Sequence, residues 1–210
     1  MVPAGEFVAV KIDIRRSRRI RNREQGQEQF FETVAVLNRE FADSIQARFV
    51  VTHGDEAQGM LKADAARDAF PIVERATSAM SLAELRFGIG LGALATSLRP
   101  EAIGMDGEAW YRAGSALDTA KTRKKYVVFD GFGDQVDKQL CAMANLLLYL
   151  RNGWSDQQRR VVELVDAGNT QSAAAALLGV TEAAVSQRLR AAGWHFYRDG
   201  RDIMASLLTV

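Results

Sequence analysis

The sequence predicts an α+β protein with a ferredoxin-like N-terminal domain over residues 1–133 and an all-helical C-terminal domain over residues 134–210. Segments with the alternating apolar pattern of β-strands occur only in the first part. There they alternate with amphipathic helical segments in the order β-α-β-β-α-β, followed by one more helix and strand. After the glycine-containing turn at residues 131–133, every apolar pattern has helical spacing.

The first part begins with a predicted strand at Phe7–Ile14, which alternates and is rich in β-branched residues. A helix is predicted at Gln27–Gln46 from apolar residues at helical spacing. Ala47–Thr52 and Ala57–Leu61 are predicted to pair as a hairpin around the polar turn at residues 53–56. This order places the first strand beside the hairpin, in an antiparallel sheet with helices on one face.

The remaining elements follow from the same two periodicities. In the first part they are a helical stretch at Asp64–Met80, with Pro71 as a start or kink, a strand at Leu85–Leu91 with glycines at 88, 90 and 92, a helix at Glu108–Lys121 and a strand at Tyr126–Phe129. In the second part they are a long helix with an apolar stripe at Val136–Leu150, a helix opened by a capping box at Ser155, two short helices at Thr170–Leu178 and Thr181–Ala192, and a terminal segment at Arg201–Leu208. The basic run Lys121–Lys125 is interpreted as a solvated helix end, and contact with phosphate or DNA is the alternative.

Composition places the chain among ordinary globular proteins, with 210 residues, 48% apolar and 25% charged. The single cysteine, Cys141, excludes an internal disulfide and a cysteine-based metal site. No apolar stretch is long enough for a signal peptide or a membrane span, so we expect a cytoplasmic protein without a membrane partner.

The 27 basic and 26 acidic side chains are unevenly distributed along the chain. Residues 1–26 hold seven basic and three acidic side chains, whereas residues 27–133 hold twelve and fifteen. Residues 134–210 hold eight of each and are neutral. Because phosphate neutralisation supplies much of the affinity for DNA, we expect any DNA binding by the neutral part to require a homodimer.

The C-terminal part contains the spacing of a helix-turn-helix at residues 171–190. Ala174 and Ala175 are small where two helices would cross closely, and Gly179 occupies the turn, where a left-handed backbone is needed. Val185 supplies an apolar contact for the second helix. This spacing predicts a reading helix in the major groove of DNA, and a plain pair of packed helices is the alternative.

The predicted DNA-contacting side chains are short or able to bond to base edges and phosphates. They are Thr170, Gln171, Thr181, Glu182, Ser186, Gln187 and Arg190.

Carboxylates are predicted to meet at one edge of the N-terminal sheet. Asp13 ends the first strand, and Asp55 and Glu56 lie at the tip of the hairpin beside it. Carboxylates at adjacent strand ends suit Mg²⁺ or Mn²⁺, with open positions for the phosphates of a nucleotide. The predicted ligand-binding residues around them are Ile14, Arg15, Arg16, Ser17, Arg18, Arg19 and Gly54. The alternative is a solvated turn beside an exposed arginine loop.

These motifs carry two family resemblances. Asp13-Ile14, Gly54-Asp55 and Phe87–Gly92 resemble class III nucleotidyl cyclases, which share the palm of many polymerases and hold two metal ions with two aspartates. The Gly54–Gly59 block and Asp106–Tyr111 resemble the SatD-like family over most of the chain. Residues 168–171 and 185–189 resemble the helix-turn-helix of sigma-factor region four and of many bacterial regulators.

One departure from the cyclase pattern concerns the helix after the fourth strand. Class III cyclases carry an Asn and an Arg there, four residues apart, which stabilise the transition state and orient the ribose. Tyr111 and Ser115 occupy those positions in this sequence, with Arg112 adjacent. The resemblance therefore implies a nucleotide site without cyclisation.

Three functions follow from these observations. The first is a transcriptional regulator that binds DNA and whose palm-like domain senses a nucleotide or another phosphorylated ligand. The alternative is a Mg²⁺-dependent nucleotidyl-transfer or cyclase-type enzyme with an accessory helical domain. A third is a protein-interaction module in which the palm is a dimerisation scaffold without a small ligand.

Overall fold

A computed structural model describes residues 5–17, 20 and 22–208 of the chain, which have a mixed α+β fold. The strands are β1 Glu6–Ile14, β2 Ile45–His53, β3 Glu56–Leu61, β4 Leu85–Ala93 and β5 Val127–Asp130. The helices are α1 Arg23–Glu40, α2 Ala69–Ala79, α3 Glu108–Thr122, α4 Asp134–Asn152, α5 Asp156–Asp166, α6 Gln171–Leu178, α7 Glu182–Ala191 and α8 Trp194–Leu207. A 3₁₀ helix at Ala63–Asp68 precedes α2.

The five strands form one mixed sheet in the order β2-β3-β1-β4-β5. β1 pairs antiparallel with β3 and β4, β2 pairs antiparallel with β3, and β5 pairs parallel with β4. The first four strands have the order expected of a ferredoxin-like unit. The prediction of a purely antiparallel sheet is wrong at β5, because the connection from β4 passes through α3 and returns in the same direction.

Three predicted helix boundaries are corrected. The helix predicted at Gln27–Gln46 ends at Glu40, because Ile45 pairs with Leu61 as the first residue of β2. It begins earlier, at Arg23, because the side chain of Asn22 accepts a hydrogen bond from the Gln25 backbone N–H and caps the helix. The terminal helix predicted from residue 201 starts at Trp194.

Three glycines of β4 allow α3 to lie directly against the sheet. A Cβ atom at Gly88 would lie 2.2 Å from the Ala113 carbonyl oxygen, and one at Gly90 would lie 2.3 Å from the Ala113 nitrogen. A Cβ atom at Gly92 would lie 2.9 Å from the Ala109 nitrogen. No side chain fits at these positions, so the helix and strand backbones are in contact.

Helices cover both faces of the sheet, and not one face as predicted. The face under α3 carries the buried side chains of Ala9 and Met60. The opposite face of β1 carries Val8, Val10 and Ile12, which are equally inaccessible to solvent. Because α3 occupies the first face, the buried apolar side chains of α1 and α2 are those left to cover the second.

The chain divides into two compact units, each described by itself. The first unit comprises residues 1–145 with 204–210, and the second comprises residues 146–203. In the second unit, α5, α6 and α7 contact one another. Its aromatic core includes Trp154, whose indole N–H donates to the Ala192 carbonyl oxygen at 2.7 Å and whose ring lies 4.8 Å from that of Tyr197. The domain boundary predicted at residue 133 stays a prediction.

Within the described residues, no helix has both the length and the apolar character that crossing a membrane requires.

We expect Gly88→Ala to lower the free energy of unfolding by about 1–3 kcal/mol or more, because the added methyl group overlaps the α3 backbone. The matched control is Gly114→Ala on α3 itself, where the new Cβ would meet only the Lys11 ammonium at 3.9 Å. The control should raise stability by about 0.5–1 kcal/mol, since alanine favours a helix over glycine. Urea unfolding measures both, and equal stability of the two variants would contradict the close α3–β4 contact.

Candidate functional site

Three acidic residues lie at one edge of the sheet, where β1 ends and β2 turns into β3. Asp13 and Glu56 are directly opposite each other in the β1–β3 register, so their side chains share a face. The Ile14 backbone N–H donates to the Asp55 carbonyl oxygen at 2.9 Å and ties the hairpin turn to the end of β1. The structure therefore brings the three predicted carboxylate residues to one place.

A lysine that the sequence analysis did not place in the site lies between two of these carboxylates. The Lys121 Nζ is 3.0 Å from Asp13 Oδ1 and 2.8 Å from Glu56 Oε1. Lys121 belongs to the last turn of α3, and the interpretation of its basic run as a solvated helix end is wrong for this residue. The signal that could have found it is the glycine pattern of β4, which brings α3 over the face that carries Asp13.

Burial and charge act in opposite directions on this cluster. Asp13 is 8% exposed, and its burial raises the pKa of its carboxyl above the ordinary value. Lys121 opposes this shift, whereas the charges of Glu56 and Asp55 raise the pKa further. For Lys121, burial works against the charge, but the hydrogen bonds to Glu56 and Asp13 raise the pKa of the ammonium overall. Lys121 is therefore positively charged at neutral pH and partly neutralises the pair.

The other residues of the predicted ligand site have separate partners. The Ser17 hydroxyl donates to Asp55 Oδ2 at 2.6 Å. The Arg15 guanidinium forms an ion pair with Glu84. Arg16 is exposed, with a left-handed backbone at φ 56°. Arg18 and Arg19 lie outside the described residues.

A cleft of about 260 Å³ opens beside Asp55. It is lined by Ile14, Ser17, Ile20, Arg23, Gln27, Gly54 and Asp55. Four of these residues are among those predicted, whereas Ile20, Arg23 and Gln27 were not predicted. Arg23 and Gln27 belong to the first turns of α1. The sequence signal that could have identified them is Asn22, a capping residue at which the helix starts. The positive end of the helix dipole and the Arg23 charge favour an anion here.

The arrangement at the sheet edge does not fit a divalent metal ion. Mg²⁺ binds carboxylate oxygens at about 2.0–2.1 Å and retains water molecules around it. Here the oxygens of Asp13 and Glu56 face an ammonium at hydrogen-bond distance, and Asp55 accepts from Ser17. In the part of the chain that the structure describes, no three His, Cys, Asp or Glu side chains are grouped as a metal site requires. The Mg²⁺ or Mn²⁺ assignment stays a prediction.

The residues at the two cyclase-specific positions have no direct link to the cleft. Tyr111 is 63% exposed, and its hydroxyl donates to Asp106 Oδ2 at 2.6 Å. Ser115 is exposed on the same helix. The neighbouring Arg112 is paired with Glu108 at 2.7 Å and donates to the Leu91 carbonyl oxygen.

In the second unit, threonines cap both helices of the predicted helix-turn-helix. The Thr170 hydroxyl accepts from the Ala173 backbone N–H at 3.1 Å, and the Thr181 hydroxyl accepts from the Ala184 N–H at 3.2 Å. Gly179 ends α6 with a left-handed backbone at φ 64°, as its place in the turn predicts.

The predicted DNA-contacting residues of α7 lie on one side of the helix. Glu182, Ser186 and Arg190 follow one another at four-residue spacing, with Gln187 beside them. Ser186 is half-buried and the other three are exposed, as are the capping residues Thr170 and Thr181, whereas Gln171 is half-buried. Val185 and Leu189 form the buried side of α7. This geometry is compatible with a reading helix and equally with a plain helical pair.

The five-stranded sheet and its helices define a mixed α+β protein, in which helices alone follow β5 in the described part of the chain. Residues 7–208 match the SatD family, and the chain belongs to that family.

Comparison with solved structures finds two of a bacterial light-regulated adenylyl cyclase. The first is 12% identical with a TM-score of 0.47, over 59% of this chain and 74% of that one. The second is 12% identical with a TM-score of 0.44, over 59% of this chain and 42% of that one. No curated protein matches the sequence.

We expect the stability difference between the wild-type protein and Asp13→Asn to depend on pH. Because the folded pKa of Asp13 is raised above its ordinary value of 3.8, the folded state binds this proton more tightly than the unfolded chain. The stabilisation is complete below about pH 3.8 and is lost as the pH rises through the folded pKa. The unfolding free energy of the wild type minus that of the variant should therefore fall over this interval.

Urea unfolding at several pH values between about 3.5 and 6 measures this difference. Asp118→Asn, on the exposed side of α3, is the matched control. A difference for Asp13→Asn that rises with pH would show that Lys121 outweighs burial at this carboxyl.

Proposed function

We propose that this protein is a DNA-binding transcriptional regulator whose palm-like unit senses a nucleotide or another phosphorylated ligand. The observation that carries the proposal is the exposed polar side of α7. Val185 and Leu189 on the same helix are buried, and the Thr181 side chain caps its start. Gln187 and Arg190 are the two side chains on that surface best suited to hydrogen bonds with base edges.

The amino end of α6 supports a phosphate contact beside this surface. Thr170 is exposed as its capping residue, and Gln171 opens the helix. Backbone N–H groups at a helix start attract phosphate oxygens, and such contacts fix the register of a protein on DNA. Together with α7 they would supply one base-reading and one phosphate-binding element in each copy.

The neutral charge of the C-terminal part supports a homodimer as the DNA-binding form. Residues 134–210 hold eight basic and eight acidic side chains, so one copy provides little phosphate neutralisation. Two copies double the number of contacts and bind as one entity, which raises affinity without any new type of contact.

The cleft in the first unit supports a phosphorylated ligand. Among the residues that line it, Arg23 and the start of α1 provide positive charge, and the Ser17 hydroxyl donates to the Asp55 carboxylate. Ligand binding regulates DNA binding when the ligand has different affinities for two states of the protein, and the effect is then reciprocal.

A second candidate function is metal-dependent nucleotidyl transfer, and the observation behind it is that β1 and the hairpin bring three acidic residues together. Asp55 lines the cleft, Asp13 and Glu56 lie opposite each other on β1 and β3, and carboxylates of a nucleotidyl-transfer enzyme hold Mg²⁺ or Mn²⁺. The ion pair of Lys121 with Asp13 and Glu56 favours binding of a phosphorylated ligand over catalysis.

We expect Gln187→Ala and Arg190→Ala each to weaken specific DNA binding about tenfold or more, because each removes hydrogen bonds to a base pair. A preferred site is first selected from a random duplex library with the wild-type protein. Fluorescence anisotropy at one fixed salt concentration then measures the affinity of each variant.

The matched controls are Gln157→Ala on α5 and Arg198→Ala on α8, both exposed residues away from α7. These should bind the selected site as tightly as the wild type. Unchanged affinity in both α7 variants, or a library that yields no site, would leave the second unit as a plain helical pair.

We expect Arg23→Ala to weaken nucleotide binding about tenfold, because it removes a charged donor to phosphate from the cleft. Arg39→Ala, at the other end of α1, should leave the affinity unchanged. Isothermal titration calorimetry with each of the four ribonucleoside triphosphates measures both variants.

Incubation of the protein with each triphosphate and Mg²⁺ or Mn²⁺ separates the enzyme from the sensor. A new nucleotide product that disappears in Asp13→Ala would favour the enzyme over the sensor. Absence of binding by all four triphosphates would contradict the enzyme and the nucleotide sensor and would favour an interaction module.

A further inference from the structure

The ion pair between Lys121 and the two carboxylates is the feature from which a further property follows. We propose that the Lys121 ammonium is the resident cation of the Asp13–Glu56 pair, so that no divalent metal is bound there and the phosphorylated ligand binds without one. The part that concerns the ligand rests on the function proposed above. The part that concerns the cation rests on the geometry alone.

The ammonium satisfies both carboxylates at once. Its distances of 3.0 Å to Asp13 and 2.8 Å to Glu56 are those of charged hydrogen bonds, and a lysine has three such donors. The two acids come from different strands, and Lys121 is 65 residues away from Glu56 in the chain. A single positive charge thus joins three elements at the point where a metal would join two carboxylates.

Burial distinguishes this cluster from an ordinary surface ion pair. The side chain of Asp13 is 11% exposed and that of Lys121 is 30% exposed. Exposed ion pairs contribute little, but a buried carboxylate without a partner is costly. The Lys121 ammonium therefore compensates the charge of the buried Asp13 carboxylate, which solvent alone does not do.

A metal ion would have to displace a cation that belongs to the protein. Lys121 loses no translational freedom when it binds, because α3 already holds it at the site. Displacement would leave a partly buried ammonium without these two partners, and Mg²⁺ would also have to give up water to reach the mostly buried Asp13. Asp55, the third acid, is bonded to the Ser17 hydroxyl.

The backbone contact between α3 and β4 fixes the position of the lysine. Gly88 and Gly90 hold the middle of α3 against the strand, and Lys121 follows in the last turn of that helix. Its side chain therefore starts from a rigid backbone and not from a loop.

The test measures Mn²⁺ binding by the full chain without nucleotide. Binding is detected as the loss of the electron paramagnetic resonance signal of free Mn²⁺. The wild type should show no tight site. Lys121→Met, which removes the charge and keeps the volume, should gain one site per chain with at least tenfold higher affinity. Combining it with Asp13→Asn should remove that site, and Lys138→Met, an exposed lysine on α4, should behave as the wild type.

Two results would overturn the proposal. One is a tight Mn²⁺ site in the wild type that disappears in Asp13→Asn, because the lysine would then move aside for the metal. The other is a folded Lys121→Met protein, by circular dichroism, that binds no Mn²⁺. Should that variant not fold, Lys121→Gln keeps a donor without the charge, and the same two results apply to it.

A second measurement compares ATP binding to the wild type in EDTA and in excess Mg²⁺. Equal affinity supports a metal-free site, and binding that requires Mg²⁺ overturns it. If ATP and the other three triphosphates fail to bind under both conditions, the proposed ligand function fails while the Mn²⁺ result still decides the role of Lys121.

Discussion

The contact between the backbones of α3 and β4 determines how the first unit is arranged. Gly88, Gly90 and Gly92 remove the side chains that would otherwise separate a helix from a strand. The helix then covers the face of the sheet that carries Asp13, and its last turn delivers Lys121 to that carboxylate. A pattern of three alternating glycines thus controls the electrostatics of a site that contains none of them.

This arrangement gives two adjoining regions of different character. On the α3 side, a lysine balances two carboxylates that share a sheet face. Beside Asp55, the start of α1 opens a cleft with positive charge and polar groups. The first region resembles a metal site whose cation is covalently part of the chain, and the second has the properties of a phosphate site. The proposed sensing of a phosphorylated ligand rests on this division.

The sequence predicts the structural elements that local patterns control. Its predictions fail where tertiary contacts decide where an element ends or what lies beside it. Alternation and turn chemistry predict β1 and the hairpin, and so the meeting of Asp13 with Glu56. The capping box at Ser155 is confirmed, since both of its hydrogen bonds are present. Helical spacing extends α1 past its true end because Ile45 fits both patterns, and only pairing with Leu61 decides. Lys121 and Arg23 enter the site region through the packing of α3 and α1, of which the sequence carries only indirect signals in the β4 glycines and Asn22.

We propose that the acidic edge carries its own cation and that phosphates bind beside it. A crystal structure grown with a nucleotide and Mn²⁺, with diffraction recorded at the manganese absorption edge, tests it most directly. We expect phosphate density near Ser17 and Arg23, Lys121 still between Asp13 and Glu56, and no anomalous peak at those carboxylates. An anomalous peak between Asp13 and Asp55, with the Lys121 side chain turned away, would contradict it.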